Sequence, residues 1–416
     1  MSKKKPVKKP NGFLYLLVYL LVYPFIKLTF RLKVDRTGYR PPKGPFVVLS
    51  NHASFMDFLV VMLALCPRRL NAVAARKFFC YSPLHLLLPF MGCIPKSLFD
   101  PDPRTILEIL SVVKRGGRLL IFPEGRSSTE GVYCGIHKST GKLIKKLAIP
   151  VVSCRIEGTY NAMPFWRKGF RAGRVRLTIE NLLTAAECAE MPADRINGRI
   201  DARLGGEKSA KVHEKPLKVF HTRNLAEGLQ NILYYCPACG REFTTEASGS
   251  TIRCAACGAE ATLDGLGALT SGPAGALPKT IPLWVREQAR HEAEVLRTAP
   301  IDIPVALRMP DVPGKGLTRC GTGLLCLDQT GWRYTGKLNG RDVTLTFPIA
   351  SVPALPFDPD DNFQIYSGGE FYAFTPENRR ACGKYSLMGE CAYWLFTPNP
   401  QMTRSPLPEE ARVGAE

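Results

Sequence analysis

Phe46-Val47-Val48-Leu49-Ser50-Asn51-His52-Ala53-Ser54-Phe55-Met56-Asp57 decides the fold. Its first five residues are a nearly continuous apolar run, the pattern of a strand covered on both faces. Its end changes period: Ser54-x-x-Asp57 reads as a capping box, so a helix is expected to start at Ser54 and continue over 58–65. A buried strand running straight into a helix is the repeating unit of an α/β layer fold.

The same grammar recurs downstream. Leu119-Leu120-Ile121-Phe122 is a second buried strand, entered from the Gly116-Gly117 turn. Residues 142–147 read as helix, 149–156 as a third strand, and the alternating 175–179 as a fourth. This α/β domain is expected over 33–190. Before it, Lys3-Lys4-Lys5 and Lys8-Lys9 precede an apolar stretch, 13–30, broken only by Lys27 and Pro24. It is barely long enough to span a bilayer, which takes about 20 apolar residues. Positive charge on both flanks leaves orientation unspecified. Residues 1–32 are therefore read as a basic N-terminus and a membrane-associated helix that lies in the interface or dips into it.

Beyond 190 the texture changes twice. Residues 191–230 read as a polar linker followed by a short amphipathic helix from 224. Cys236-Pro237-Ala238-Cys239 and Cys254-Ala255-Ala256-Cys257 have fourteen residues between them, and Gly240 and Gly258 follow each pair. Two such knuckles are the pattern of a zinc ribbon over 231–266, with four thiolates closing the shell of a structural Zn2+. From 283 to 398 the sequence turns β-rich: 324–327, 332–334, 343–347 and 363–366 read as strands, with hairpin turns at Asn339-Gly340 and Gly368-Gly369. Tyr385, Met388, Ala392 and Leu395 then share one helical face. Antiparallel strands closed by one helix resemble a pleckstrin-homology or GRAM-like domain. Residues 399–416 read as a disordered tail.

The chemistry sits in two motifs, each following a buried strand. Histidine titrates near neutrality and can take a proton from a hydroxyl. A carboxylate beside it fixes the tautomer and stabilises the imidazolium. His52 and Asp57 offer that pair, provided the strand-to-helix bend brings them together. Phe122-Pro123-Glu124-Gly125-Arg126-Ser127 ends the second strand. In an open α/β sheet ligands gather at the carboxyl ends of strands, so both motifs are expected on one edge. Glu124 could orient acceptor hydroxyls, Gly125 admit close backbone approach, and Arg126 bind phosphate.

His52-x4-Asp57 followed about seventy residues later by Phe122-Pro123-Glu124-Gly125 resembles the glycerolipid acyltransferases, the 1-acylglycerol-3-phosphate acyltransferases, over roughly 30–185. The resemblance implies that His52 and Asp57 are catalytic. It places Glu124, Gly125 and Arg126 in the acceptor motif and Ile149-Pro150-Val151 in a further motif. Asn51 and Ser54 of the first motif, with Lys77 and Lys96, would complete the substrate-binding set. The sequence departs from the family where Lys96 stands for an expected Arg and where Arg126-Ser127 replaces the usual Thr-Arg. It implies an acyl-CoA or acyl-carrier-protein donor, no catalytic metal, and a lysophospholipid or glycerol-phosphate acceptor.

Composition fits this reading. The chain carries 56 Lys/Arg against 36 acids, a formal charge of +20, and its first hundred residues hold sixteen basic residues against Asp35, Asp57 and Asp100 alone. Excess charge beside an apolar stretch points to anionic lipid and a phosphorylated substrate. The ribbon has only Arg241 and Arg253 nearby, opposed by Glu242, Glu246 and Glu260, so no nucleic acid is expected. Scattered thiols among 14 cysteines suit a reducing compartment, hence the cytoplasmic face of a membrane. The competing reading is a worn acyltransferase scaffold that binds lipids or partners through its ribbon and β-domain.

Overall fold

The computed structural model describes residues 7–206, 216–221 and 223–411. Lys3-Lys4-Lys5 lies outside the described residues.

Helix α1 (Gly12–Thr29) precedes a seven-stranded sheet. Its strands are β1 (Lys33–Asp35), β2 (Val47–Ser50), β3 (Asn71–Ala75), β4 (Ile94–Lys96), β5 (Leu119–Ile121), β6 (Val151–Glu157) and β7 (Arg176–Leu183). They lie in the order β1-β7-β6-β2-β5-β3-β4, parallel throughout except where β6 meets β7. The interleaved helices are α2 (Asp57–Ala64), α3 (Leu84–Phe90), α4 (Pro103–Lys114), α5 (Ser139–Leu147), α6 (Thr159–Ala162), α7 (Ala185–Glu190) and α8 (Ala193–Gly205).

The apolar run of β2 explains the layering. Phe46 and Val48 join one core with Tyr15 and Ile26 of α1 and Val60 to Leu63 of α2. Val47 and Leu49 point the other way, into a core with Ile109 of α4, Ile144 of α5 and Ile200 of α8. All four β2-region side chains are fully buried. At about 1.5–3 kcal/mol for each such side chain, this strand is committed to the sheet centre. Its neighbours β5 and β6 run parallel to it on either side, Val47 facing Leu119 and Val151. The turns after β2 and β5 therefore open on the same edge, as the motif order requires.

Beyond this layer lies a ribbon of β8 (Thr245–Ser248), β9 (Thr251–Cys254), β10 (Glu260–Leu263) and β11 (Leu269–Ser271). Helix α9 (Ile281–Thr298) follows. Next come β12 (Ile301–Pro310), β13 (Leu317–Asp328), β14 (Gly331–Leu338), β15 (Arg341–Pro348), β16 (Phe357–Asp358), β17 (Asn362–Ser367) and β18 (Glu370–Pro376). These form one antiparallel sheet in the order β15-β14-β13-β12-β18-β17-β16, closed by α10 (Cys382–Phe396). Both expected hairpin turns are present, with Asn339 and Gly340 at positive φ, as are Gly368 and Gly369. Ribbon, α9 and β-sheet share one core, so the Gly/Ala/Pro-rich stretch near 265–282 does not separate two cores.

Three expectations need correction. The supposed linker contains α8, whose Ile196, Ile200 and Leu204 are buried against α5. The expected helix from 224 is only a 3-10 turn, Leu229–Asn231. Gly228 breaks it at φ +92°, where an added Cβ would lie 2.4 Å from the Trp166 carbonyl oxygen. Its carbonyls are used elsewhere: Ile232 accepts from Gln288 Nε2, and Leu233 from Thr245 Oγ1. Lastly, 399–411 is an ordered strap. Met402 and Leu407 are buried, and Thr403 N donates to Ile136 O at 3.0 Å. Residues 412–416 lie outside the described residues.

Candidate active site

Helix α2 starts at Asp57, with Met56 at its N-cap, two residues later than the capping box suggested. Half of that box is present: Ser54 N donates to Asp57 Oδ2 at 2.7 Å. The same oxygen lies 3.1 Å from His52 Nδ1. The bend thus does what the five-residue spacing needed. Asp57 is fully buried, whereas the His52 side chain keeps 19% exposure. A carboxylate on Nδ1 fixes the proton there and leaves the Nε2 lone pair outward, the tautomer a general base requires. Phe122 stacks on the imidazole with ring centroids 4.3 Å apart.

The second motif is clamped to the first through the backbone. Glu124 Oε1 accepts from His52 N at 2.6 Å, and Oε2 from Cys134 N at 2.8 Å. Ser128 N donates to His52 O at 2.8 Å. Ser127 Oγ lies 3.1 Å from His52 Nε2. Gly125 turns the chain at φ +76°, and the Phe99 ring lies 3.0 Å from where a Cβ would stand. Glu124 is therefore a positioning residue for His52, with both oxygens occupied, rather than an open contact for an acceptor.

Burial pushes the Glu124 carboxyl up to about 8 with Asp57 adding to it, while the N–H groups of Cys134 and His52 and the nearby Arg126 pull it down. The folded chain thus holds a proton that the unfolded chain has lost above about 4.5. This contribution to stability is full below that pH and is lost as pH rises through about 8. Glu292 and Glu390, both pushed up to about 7 by burial, act in the same direction. Glu124→Gln is expected to flatten, without abolishing, the fall of the urea midpoint between pH 5 and pH 8. An unchanged slope would exclude Glu124 as a source.

The other candidates do not converge on His52. Asn51 is pinned to β6, donating to Ile156 O and accepting from Ile156 N at 2.7 Å. Ser54 Oγ donates to Met163 O. Both side chains are engaged with backbone and shape the turn. Lys96 donates to the carbonyls of Ser97 and Asp100, and burial holds its ammonium below the ordinary range. Lys77 pairs with Asp358 at 2.6 Å, and Arg126 with Glu390 at 2.7 Å. Two cations expected to meet phosphate are thus engaged by carboxylates of the β-domain. Arg76 donates to Gly369 O, and Gly369 N to Asp100 Oδ2, which seats the β17–β18 turn on the same edge. Ser127 on Nε2 and the Arg126–Glu390 pair were not anticipated. The only local signal was a hydroxyl directly after the acceptor motif.

The four ribbon cysteines converge as their spacing implied. Their sulfurs lie within 4.8 Å of one another, with Cys236–Cys257 at 3.7 Å and Cys239–Cys254 at 3.8 Å. A tetrahedron with Zn–S of about 2.3 Å has edges of about 3.8 Å. Gly240 N and Gly258 N donate to the carbonyls of Cys236 and Cys254, closing both knuckles. The donor set fits Zn2+.

A base held by a buried carboxylate at the carboxyl edge of a parallel sheet is an arrangement able to activate a hydroxyl for group transfer. Residues 31–157 match the Acyltransferase family model. A chloroplastic 1-acyl-sn-glycerol-3-phosphate acyltransferase of Brassica napus is 26% identical over 182 residues, 43% of this chain and 51% of that protein. The 1-acyl-sn-glycerol-3-phosphate acyltransferase of Bacillus subtilis is 21% identical over 162 residues, 39% of this chain and 78% of that one. The crystal structure of the 1-acyl-sn-glycerophosphate acyltransferase PlsC from Thermotoga maritima is 19% identical. It aligns with a TM-score of 0.39 over 47% of this chain and 85% of that one. The chain spans about half the length of the plant and algal relatives it matches.

Proposed function

We propose that the chain is a membrane-associated acyltransferase that moves a fatty acyl group from an acyl thioester to the free hydroxyl of a lysophosphatidate-type acceptor. The observation that carries this is His52, with Asp57 fixing Nδ1 and Nε2 directed outward. The 1-acyl-sn-glycerol-3-phosphate acyltransferases to which the chain is similar support the acceptor class. His52 Nε2 removes the acceptor hydroxyl proton as that oxygen attacks the thioester carbonyl, and the proton passes to the departing thiolate. Asp57 stabilises the imidazolium meanwhile. The acceptor phosphate takes Arg126 by displacing Glu390, a like-for-like exchange of one oxyanion for another.

Helix α1 supports a membrane role. It is 18 residues long, about 27 Å, short of a roughly 30 Å hydrocarbon core. Both ends are tied to the α/β layer, Asn11 N donating to Phe90 O and Gly173 N to Thr29 O. Phe13, Leu20, Leu21 and Leu28 stay exposed. The helix therefore lies on the domain and offers an apolar face to the interface, and we assign that face to the cytoplasmic leaflet. The four cysteines would hold a structural Zn2+. The β12–β18 order, closed by α10, supports a pleckstrin-homology-like reading of the C-terminal sheet.

The test uses full-length protein on liposomes. Acyl-CoA and acyl carrier protein donors are each crossed with lysophosphatidate, glycerol 3-phosphate and an uncharged lysolipid. Lysophosphatidate is expected to be acylated fastest. Folded, liposome-bound protein that acylates none of them would sink the reading. It would favour the binding-scaffold alternative, for which the Arg126–Glu390 and Lys77–Asp358 pairs speak.

A further inference from the structure

We propose that the strap 399–411 positions the catalytic histidine, with Thr403 as the positioning residue that grips the loop behind His52. The proposal rests on the acyl-transfer reading above. It adds to that site a part drawn from far outside residues 31–157.

Residues 122–138 run from β5 to α5 without helix or strand, and they carry both links to the His52 backbone, Glu124 and Ser128 N. Loops longer than about 12–15 residues with no structure of their own are uncommon in compact domains and tend to serve function. Such a loop has no ladder of its own to satisfy its backbone groups. It holds one shape only if partners from elsewhere in the chain take them.

The strap supplies those partners. It meets the loop in an antiparallel pairing of His137 with Met402. Lys138 N donates to Gln401 O at 2.8 Å, and Thr403 N to Ile136 O at 3.0 Å. Thr403 Oγ1 accepts from Ile136 N at 2.8 Å, so one residue takes both backbone groups of Ile136. The same hydroxyl donates to Asp201 Oδ1 at 3.1 Å, and that oxygen accepts from Tyr133 Oη at 2.9 Å. The Arg404 guanidinium lies over the Tyr133 ring, 5.2 Å from its centroid. Gly135 turns at φ +79°, and a Cβ there would lie 2.8 Å from Arg404 N, so only glycine admits the strap this closely. Residues 133, 135 and 136 are thus held from the strap side. Between them Cys134 turns its N–H inward, to Glu124 Oε2 at 2.8 Å. The other oxygen of that carboxylate accepts from His52 N at 2.6 Å.

The strap has a firm base from which to do this. Met402 and Leu407 are buried in the core shared by ribbon, α9 and β-sheet, whereas Ile136 belongs to a core of the α/β layer. Gln401 N donates to Tyr393 Oη of α10, one helical turn past Glu390. Burial of Met402 and Leu407 would close the C-terminal core whatever polar groups lay between them. Packing therefore does not account for the register, in which the Ile136 backbone and the Tyr133–Asp201 bond converge on one threonine. A route to the base does account for it: Thr403 fixes Ile136 and Tyr133, these aim Cys134 N at Glu124, and Glu124 sets the backbone of His52.

The test compares full-length wild type, Thr403→Val and Thr403→Ser on liposomes bearing lysophosphatidate, with the acyl donor that the wild type uses. Valine keeps the shape and the N–H of residue 403 but removes its oxygen. Thr403→Val is expected to lower kcat on the order of 10-fold and to leave KM within about two-fold, because the base is displaced and the binding surface is not. Thr403→Ser restores the hydroxyl and should stay within about two-fold of wild-type kcat. Hydrogen exchange read by mass spectrometry should quicken in Thr403→Val for peptides holding Cys134 and His52, with β12–β14 exchanging as in wild type. The loss should shrink in a Glu124→Gln background, where the route is already cut at one oxygen. Three results overturn the proposal while leaving the acyl-transfer reading intact. One is Thr403→Val with kcat within about two-fold of wild type. Another is a loss of the same size in the Glu124→Gln background. The third is exchange that quickens throughout β12–β14, with Thr403→Ser falling as far as Thr403→Val, which would give the residue a folding role alone. Wild-type protein that transfers to no acceptor defeats the acyl-transfer reading, and this one with it.

Discussion

Replacing His52 by alanine is expected to lower acyl transfer by on the order of 1,000-fold or more, in protein that remains folded. The magnitude follows because every proton movement in the proposed reaction passes through Nε2. The fold should survive because the backbone of residue 52, not its imidazole, ties the two motifs together. Its N–H goes to Glu124, and its carbonyl accepts from Ser128. The lost side-chain contacts are the Phe122 stack and the Asp57 pair, and Asp57 keeps the Ser54 N–H as a partner. Removing one hydrogen-bond partner from a buried carboxylate costs about 1–3 kcal/mol, which a midpoint in urea would register as a modest shift. Asp57→Asn should lower the rate strongly as well, because an amide NH2 facing Nδ1 would favour the wrong tautomer. Unchanged transfer by His52→Ala, measured on purified folded protein, would remove the site from consideration.

The His52–Asp57 pair was legible because everything that makes it is local. A strand announced by Val47-Val48-Leu49, a bend, and a carboxylate at the first position of α2 all lie within eleven residues. The convergence of Cys236, Cys239, Cys254 and Cys257 was legible for the same reason, two knuckles each followed by its own glycine. What escaped is what the tertiary structure adds across long separations. Glu124 supports His52 from 72 residues away, and Ser127 meets it from 75. Glu390 reaches Arg126 across 264 residues, and Asp358 reaches Lys77 across 281. Periodicity cannot show such partners, so Glu124 and Arg126 were read as open ligands when they are already engaged. Short elements escaped for a different reason. Three-residue strands such as β1 and β4 carry too few positions to display a period. Helix α8 was hidden because its apolar Ile196, Ile200 and Leu204 sit among Arg and Asp in a stretch that composition alone labels as linker.

Zinc removal should have the largest effect on stability. Purified protein is expected to carry one Zn2+ per chain. Stripping it, or making Cys236→Ser, should lower the melting temperature by about 10 °C or more. Structural zinc binding is worth about 10 kcal/mol or more in small modules, and here the module does not stand alone. The ribbon shares its core with α9 and the β-sheet. Trp284 Nε1 donates to Tyr235 O at 2.8 Å, one residue before the first ligand, and Tyr234 Oη donates to Glu292 at 2.9 Å. Lys384 of α10 pairs with Glu242, and Arg380 donates to Thr245 O. Loss of the four-thiolate centre therefore loosens α9 and α10 together. Because α10 carries Glu390, the disturbance reaches Arg126 beside the acyltransferase motif. Chelation is accordingly expected to depress acyl transfer as well as the melting temperature, and both should recover when Zn2+ is restored to reduced protein. Four ribbon thiols that react freely with a thiol reagent in native protein, with melting unaffected by chelator, would show that the cysteines hold no metal and that packing alone carries the ribbon.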